Sequence, residues 1–201
     1  GLTNEHVSIA KQRMPNFPIY MQYGWTPKSH FRAAAIIRSM SYDNLTAHKT
    51  ESEIGWGVLA SATFNVMNCL QVYGQGVYGK GIGQFLNDMS MLNVDVVPNP
   101  EKEGKMQVLP MMGWFAGMQY NFSPKVFITS TYGQSRLYSH DGYPAVASDQ
   151  YRYGQYLNAT LFWNITSDLQ AGAEYLRGWR TDFNGDTRHA NRVNLAVQYS
   201  F

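Results

Sequence analysis

The chain has 201 residues, a formal net charge of +2, a mean hydropathy of −0.34 and a single cysteine, Cys69. No apolar run approaches the ~20 residues of a membrane-spanning helix, one cysteine excludes an internal disulfide framework, and so small a charge without a compact basic run speaks against nucleic acid as a partner. What hydrophobicity there is, 44% of residues, must therefore be dealt out by alternation, and 18 glycines, 14 tyrosines, 10 phenylalanines and 5 tryptophans suit twisted strands with aromatic belts.

Taken in chain order, the period-two pattern predicts nine strands. The first, about Phe17 to Tyr23, sets Phe17, Ile19, Met21 and Tyr23 outward, but Pro18 inside it cannot donate to a ladder. The second, about Phe31 to Met40, puts Phe31, Ala33, Ala35 and Ile37 out and Arg32 and Arg38 in. Ile54, Trp56, Val58, Ala60, Ala62 and Phe64 share one face of the third, about Ile54 to Phe64. In the fourth, about Cys69 to Tyr78, Gln71, Tyr73 and Gln75 stand opposite Leu70 and Val72. The fifth, about Met111 to Asn121, places Trp114, Ala116, Met118 and Tyr120 against Phe115, Gly117 and Gln119, and the sixth, about Val126 to Gln134, mixes both kinds of residue on both faces. The seventh, about Arg152 to Ile165, turns Leu157, Ala159, Leu161 and Trp163 out and Arg152, Asn158, Thr160 and Asn164 in. The eighth, about Leu169 to Arg180, turns Ala171, Ala173 and Tyr175 out and Gln170, Glu174 and Arg180 in. The last, NRVNLAVQYSF (191–201), alternates almost without fault, with Val193, Leu195, Val197, Tyr199 and Phe201 on one side and Arg192, Asn194 and Gln198 on the other.

Such strands fit a transmembrane antiparallel β-barrel, in which one side of each strand meets lipid and the other a wet lumen. Short turns are expected at 25–28, 65–68, 123–125 and 166–168, long connections at 41–53, 79–107, 135–151 and 181–191. In bacterial barrels the short turns are periplasmic and the long loops external, which gives a bacterial outer-membrane location. The outward aromatics then fall into two belts, Tyr23, Phe64, Tyr120, Trp163 and Phe201 at the periplasmic rim and Trp56, Tyr78, Tyr132, Tyr175 and Trp179 at the outer one. An odd strand number ending inside would put residues 1–15 outside, so residues 1–201 read as the C-terminal part of one larger barrel domain. The segment 79–107 is expected to be a long extracellular or pore-constricting loop.

VYGKGIGQFLND (77–88), GQYLNATLFWNITSDLQAGAEYLRGWR (154–180), the ending RVNLAVQYSF and HFRAAAIIRSMSY (30–42) together resemble the C-terminal half of DcaP-like porins. The resemblance implies a barrel of about sixteen strands, a homotrimer, and passive diffusion of small anionic solutes such as dicarboxylates. It departs from the pattern at PNFP (15–18), where two prolines bracket the first strand.

Read from the residues alone, Arg32, Arg38, Arg152, Arg180 and Arg192 all have inward parity, with Glu174, Gln71 and Tyr73 beside them. Rings of charge set ion preference in a pore, and guanidinium groups grip carboxylates two-pronged, so these eight residues are the candidate pore-lining and anion-binding set. The competing reading has the arginines satisfy Glu174, backbone carbonyls or lipopolysaccharide phosphates at the outer rim; outer-membrane lipid and lipopolysaccharide are the expected surroundings in either case. Enzyme chemistry is not expected: Ser139, His140 and Asp141 are adjacent on a loop and cannot converge as a triad. No cofactor or metal is expected either, since GKGIG (79–83) lacks the lysine-serine close of a phosphate loop and Asp88, Asp95, Glu101 and Glu103 lack calcium-loop spacing. The glycines of that motif instead let the strand bend at the rim. A small structural or adhesive barrel with a plugged lumen, or a secreted β-sandwich with the apolar stripe buried, are the alternatives.

Overall fold

The structure, a computed structural model, describes residues 4–9, 12–143 and 148–201. Alternation puts most of them into one antiparallel sheet. Its strands are β1 (Val7–Ile9), β2 (Phe17–Thr26), β3 (Ser29–Asn44), β4 (Lys49–Met67), β5 (Leu70–Lys80), β8 (Pro110–Asn121), β9 (Val126–Leu137), β10 (Tyr151–Asn164), β11 (Leu169–Asp182) and β12 (Thr187–Tyr199), while β6 (Val96–Pro98) and β7 (Met106–Val108) form a separate hairpin. Neighbours in sequence are neighbours in space: β3, β4, β5, β8, β9, β10, β11 and β12 follow one another, with β2 and β1 sharing the free edge of β3. Pro18 lies in β2, which among the described residues pairs on one side, with β3. The sheet is open among the described residues, β2 pairing with β3 and β12 with β11.

The register carries the expected parity across the ladders, apart from the bulge at Tyr151–Tyr153. Ala60 faces Gly76, Gly76 faces Trp114, and on the far side Leu161 faces Ala173 and Ala173 faces Leu195, so one continuous apolar face runs from β2 to β12. That face is the exposed one. On the central strand β10, Leu161 and Trp163 are 47% and 52% exposed, whereas Thr160 between the apolar positions is 8% exposed. A water-soluble sheet would show the reverse. From Trp56 to Phe64 the apolar stripe of β4 is nine residues long, within the ~9–11 that a tilted strand needs to cross a bilayer. Aromatic pairs mark both ends, Trp56 with Tyr78 and Tyr78 with Tyr138 near one rim, Trp25 with Phe64 and Tyr120 with Phe122 near the other.

Two of the four expected long loops are strand instead. β3 and β4 run on to a tip at 45–48, and β11 and β12 to a tip at 183–186, so residues 41–53 and 181–191 are hairpin extensions rather than irregular loops. They lie beyond the apolar band, where no side chain is required to be greasy and the alternation that marks a strand disappears. The stretch expected as an external tail, residues 1–15, contributes β1 against the extension of β3.

The buried core sits under the segment between β5 and β8. Ile82, Leu86, Met89, Val94, Val97 and Leu109 of that segment pack with Met111, Leu137 and Tyr151 from the polar side of the sheet. A smaller cluster joins Val7, Tyr42 and Met106.

Candidate functional site

The polar face of the sheet and the segment folded against it form one constellation. Gly81, at φ +66°, takes a backbone conformation that favours glycine, and the chain leaving β5 turns there toward the polar face. A Cβ on Gly113 would collide with Leu86, so the lack of a side chain at that position of β8 is what lets the segment lie down. The Arg38 Nη1 donates to Asp95 Oδ2 at 2.7 Å and to the Gly81 carbonyl at 2.8 Å, its guanidinium 5.5 Å from the Phe85 ring. Between those two contacts in sequence, the Asp88 carboxylate accepts from Ser135, across the sheet on β9, which also contacts the Tyr151 hydroxyl. Two anchors thus hold residues 81–109 over the outer half of the polar face.

Elsewhere on that face the glycines make room for rings. A Cβ at Gly117 would stand 2.6 Å from Tyr73, and one at Gly133 2.7 Å from Tyr156, so each tyrosine lies flat across the neighbouring strand. The Tyr73 hydroxyl meets Thr131 Oγ1 at 2.9 Å. Glu174 accepts from Asn194 Nδ2 at 2.6 Å and from Asn158 Nδ2 and Thr160 Oγ1 at 3.1 Å each. Asp182, 2% exposed, takes the Arg180 Nε at 2.7 Å and the Arg188 Nη2 at 3.7 Å; Arg180 and Arg188 stand directly opposite each other in the β11–β12 ladder. Between these strands and Asp88 of the folded segment lies a recess of about 540 Å³, lined also by Leu92, Tyr151 and Tyr156.

Of the residues singled out from sequence, Arg32, Arg38, Arg180, Arg192, Glu174, Gln71 and Tyr73 lie on this face by register. Arg32 is exposed and donates to Gln22 Oε1 at 2.6 and 2.9 Å. Arg192, also exposed, donates to Asn194 Oδ1 at 2.6 Å. Gln71 reaches the Lys28 carbonyl at the short-turn end, 3.4 Å away. Arg152 is placed differently. A bulge between Tyr151 and Tyr153 makes it the extra residue of the ladder, and its guanidinium lies 5.9 Å from the ring of Tyr153, which faces the apolar side. A single inserted residue shifts parity by one, and no composition pattern announces it.

Arg188, Asp182 and the Asp88–Ser135 anchor escaped the sequence reading. Arg188 fell inside an expected loop, although period two continued upstream from Arg192 reaches it. The acids of the folded segment do not converge: Asp88 and Asp95 go to separate anchors, and Glu103 sits 3.4 Å from His6. Among the described residues no group of three His, Cys, Asp or Glu side chains is placed to hold a metal. The His140 Nδ1 lies 2.9 Å from Asp141 and its Nε2 3.4 Å from Lys80 Nζ. Against the upward push of burial, His140 and the Asn99 amide hold the Asp141 carboxyl below its usual range.

The outer membrane channel DcaP of Acinetobacter baumannii superposes on 99% of this chain with a TM-score of 0.80, at 19% sequence identity. The chain has the fold of a DcaP-like porin barrel. It spans 55% of the length of that channel. A NanC porin aligns over 92% of this chain with a TM-score of 0.48 and 9% identity. No protein-family model and no curated protein matches the sequence. The polar face of this sheet carries Arg32, Arg38, Arg180, Arg188 and Arg192 and the folded segment.

Proposed function

We propose that this chain is the greater part of the channel wall of a bacterial outer-membrane porin that lets small anionic solutes, dicarboxylates among them, diffuse down their gradient. The observation that carries this reading is the uneven charge of the polar face. Arg180 and Arg188 share the single carboxylate of Asp182, and Arg32 and Arg192 meet neutral amides, so guanidinium charge is left over on the polar face. A passage lined by charge of one sign attracts the opposite sign beyond contact distance, and paired guanidinium forks suit the two ends of a dicarboxylate. Residues 81–109 then narrow the passage at its outer half, acting as the pore-constricting loop.

Assembly as a homotrimer rests on the resemblance, with support from a trough of about 710 Å³ on the apolar face where Ala60, Ala62, Gly74, Gly76 and Ala116 leave room for a second copy against outer-membrane lipid. The solute preference is tested by single-channel recording in planar bilayers under a salt gradient. The wild-type reversal potential is expected on the anion side, and Arg180→Ala with Arg188→Ala to move it toward zero; a wild-type potential on the cation side, or indifference to the double substitution, overturns the anion reading. The plugged-lumen alternative requires that no current flow at all.

A further inference from the structure

The apolar face is not uniformly apolar. Lys80, Arg136 and Arg177 point to that side by register, on β5, β9 and β11, and Arg152 joins them through its bulge. All lie toward the rim carrying Trp56, Tyr78 and Trp179, the end expected to be extracellular. None of the four pairs with a carboxylate among the described residues. Lys80 contacts His140, whose other ring nitrogen is paired with Asp141.

The three arginines are laid on rings instead. The Arg136 guanidinium lies 5.2 Å from the Tyr138 ring and 5.8 Å from that of Tyr153, Arg152 shares the Tyr153 ring, and Arg177 lies 5.0 Å over Trp179. Stacking holds a guanidinium in place by its face and leaves the N–H edges free to donate. Strands β9, β10 and β11 are consecutive; Arg136 and Arg152 meet at the Tyr153 ring, and Arg177, opposite Leu157 and so four residues (~13 Å) further from the rim, leans rimward onto Trp179, whose ladder partner Gln155 is two residues from Tyr153. Charge toward acyl chains is costly except near the interface, where long side chains snorkel to the headgroups. Arg177, exposed and leaning on Trp179 two residues nearer the loop end, has that posture.

We infer that Arg136, Arg152 and Arg177, with Lys80 beside them, form an outward-facing site for the phosphate groups of a phosphorylated glycolipid in the outer leaflet. The occupant must be a lipid: the site opens on the apolar face, so the molecule that brings phosphate there brings acyl chains to the stripe below. The inference rests on the outer-membrane reading. Full-length protein extracted from outer membranes into detergent is heated with vesicles of bisphosphorylated lipid A, with the same lipid stripped of phosphate, or with inorganic phosphate, and conversion of the folded band to the unfolded one is followed on gels. Bisphosphorylated lipid A alone is expected to raise the conversion temperature of wild type, and Arg136→Gln with Arg177→Gln to abolish that rise while keeping the folded band in plain detergent. An equal rise in the double variant, or an equal rise with dephosphorylated lipid or with inorganic phosphate, overturns the site. Should the double variant lack a folded band, Arg177→Lys, which keeps charge and loses the planar fork, is expected to retain a reduced rise; an unaltered one overturns it. Wild-type protein absent from the outer-membrane fraction, or without any heat-dependent band, overturns the barrel reading itself, a result distinct from any of these.

Discussion

Arg38 shows what a single residue's parity can and cannot foretell. Alternation on its strand turned it inward, and inward it is; but its side chain is 10% exposed and its charge is met by Asp95, 57 positions away, rather than by an open lumen. Replacing Asp95 by Asn strands a buried guanidinium, a loss that commonly costs ~3–5 kcal/mol, and the cost falls on the docking of residues 81–109. Faster hydrogen exchange in Ile82 to Val97 is expected in Asp95→Asn, with the β10–β11 ladder unchanged. A second ion site lies beyond the apolar band, on the β3–β4 extension, where Lys105, Lys49 and the Tyr42 hydroxyl hold the Glu51 carboxyl down to about 2 from an ordinary 4.5. A carboxyl that binds its proton less tightly when folded stabilises the fold above the unfolded value and loses that contribution as acid approaches the folded one. The protection factors of the Lys105 and Met106 amides are therefore expected to be flat above pH 5 and to fall between about pH 4.5 and 2, and Glu51→Gln to remove that fall. Such partners are illegible beforehand because side-chain pairing between segments depends on where a loop returns, and only the strand's own period is written locally.

At the scale of elements, legibility followed the lipid. All nine strands that cross the apolar band were readable, since a bilayer on one side and water on the other impose period two. The hairpin extensions at 41–53 and 181–191 were not, because above the band both faces meet polar surroundings and the period carries no hydrophobic signal. Period two was also blind to the bulge at Tyr151–Tyr153, and so to the true place of Arg152. The rim glycines announced a bend, and Gly81 supplies it; that the bend carries residues 81–109 onto the polar face is decided by Leu86 over Gly113, a contact between distant segments. Two substitutions separate the roles of anchor and space. Leu86→Ala keeps the room but removes burial, for which ~2–5 kcal/mol is the usual loss; Gly113→Val fills the room and lifts the segment. Both are expected to enlarge single-channel conductance if the segment narrows the passage, and conductance equal to wild type in both would remove that role.

For the whole molecule the decisive quantity is the free energy of one charge on either side of the same sheet. Leu161 and Gln75 are both in mid-strand, Leu161 on the exposed apolar face and Gln75 on the sheltered polar one, between Ser61 and Phe115. If the exposed face meets acyl chains, arginine at Leu161 must be dragged out of water, at ~2–4 kcal/mol near the midplane, whereas arginine at Gln75 stays hydrated in the lumen beside Tyr73. The prediction is directional: urea titration of the protein folded in phospholipid vesicles is expected to give a midpoint lowered strongly for Leu161→Arg and little for Gln75→Arg, while in a detergent micelle, whose headgroups reach further in, the gap shrinks. A sheet whose apolar stripe was buried against protein would pay for Leu161→Arg equally in both solvents, because its neighbours would not change with the surroundings. Dependence of the penalty on the thickness of the lipid is thus the property that belongs to a membrane wall and to no soluble sheet, and Leu161→Arg is expected to grow costlier as the acyl chains of the vesicle lengthen.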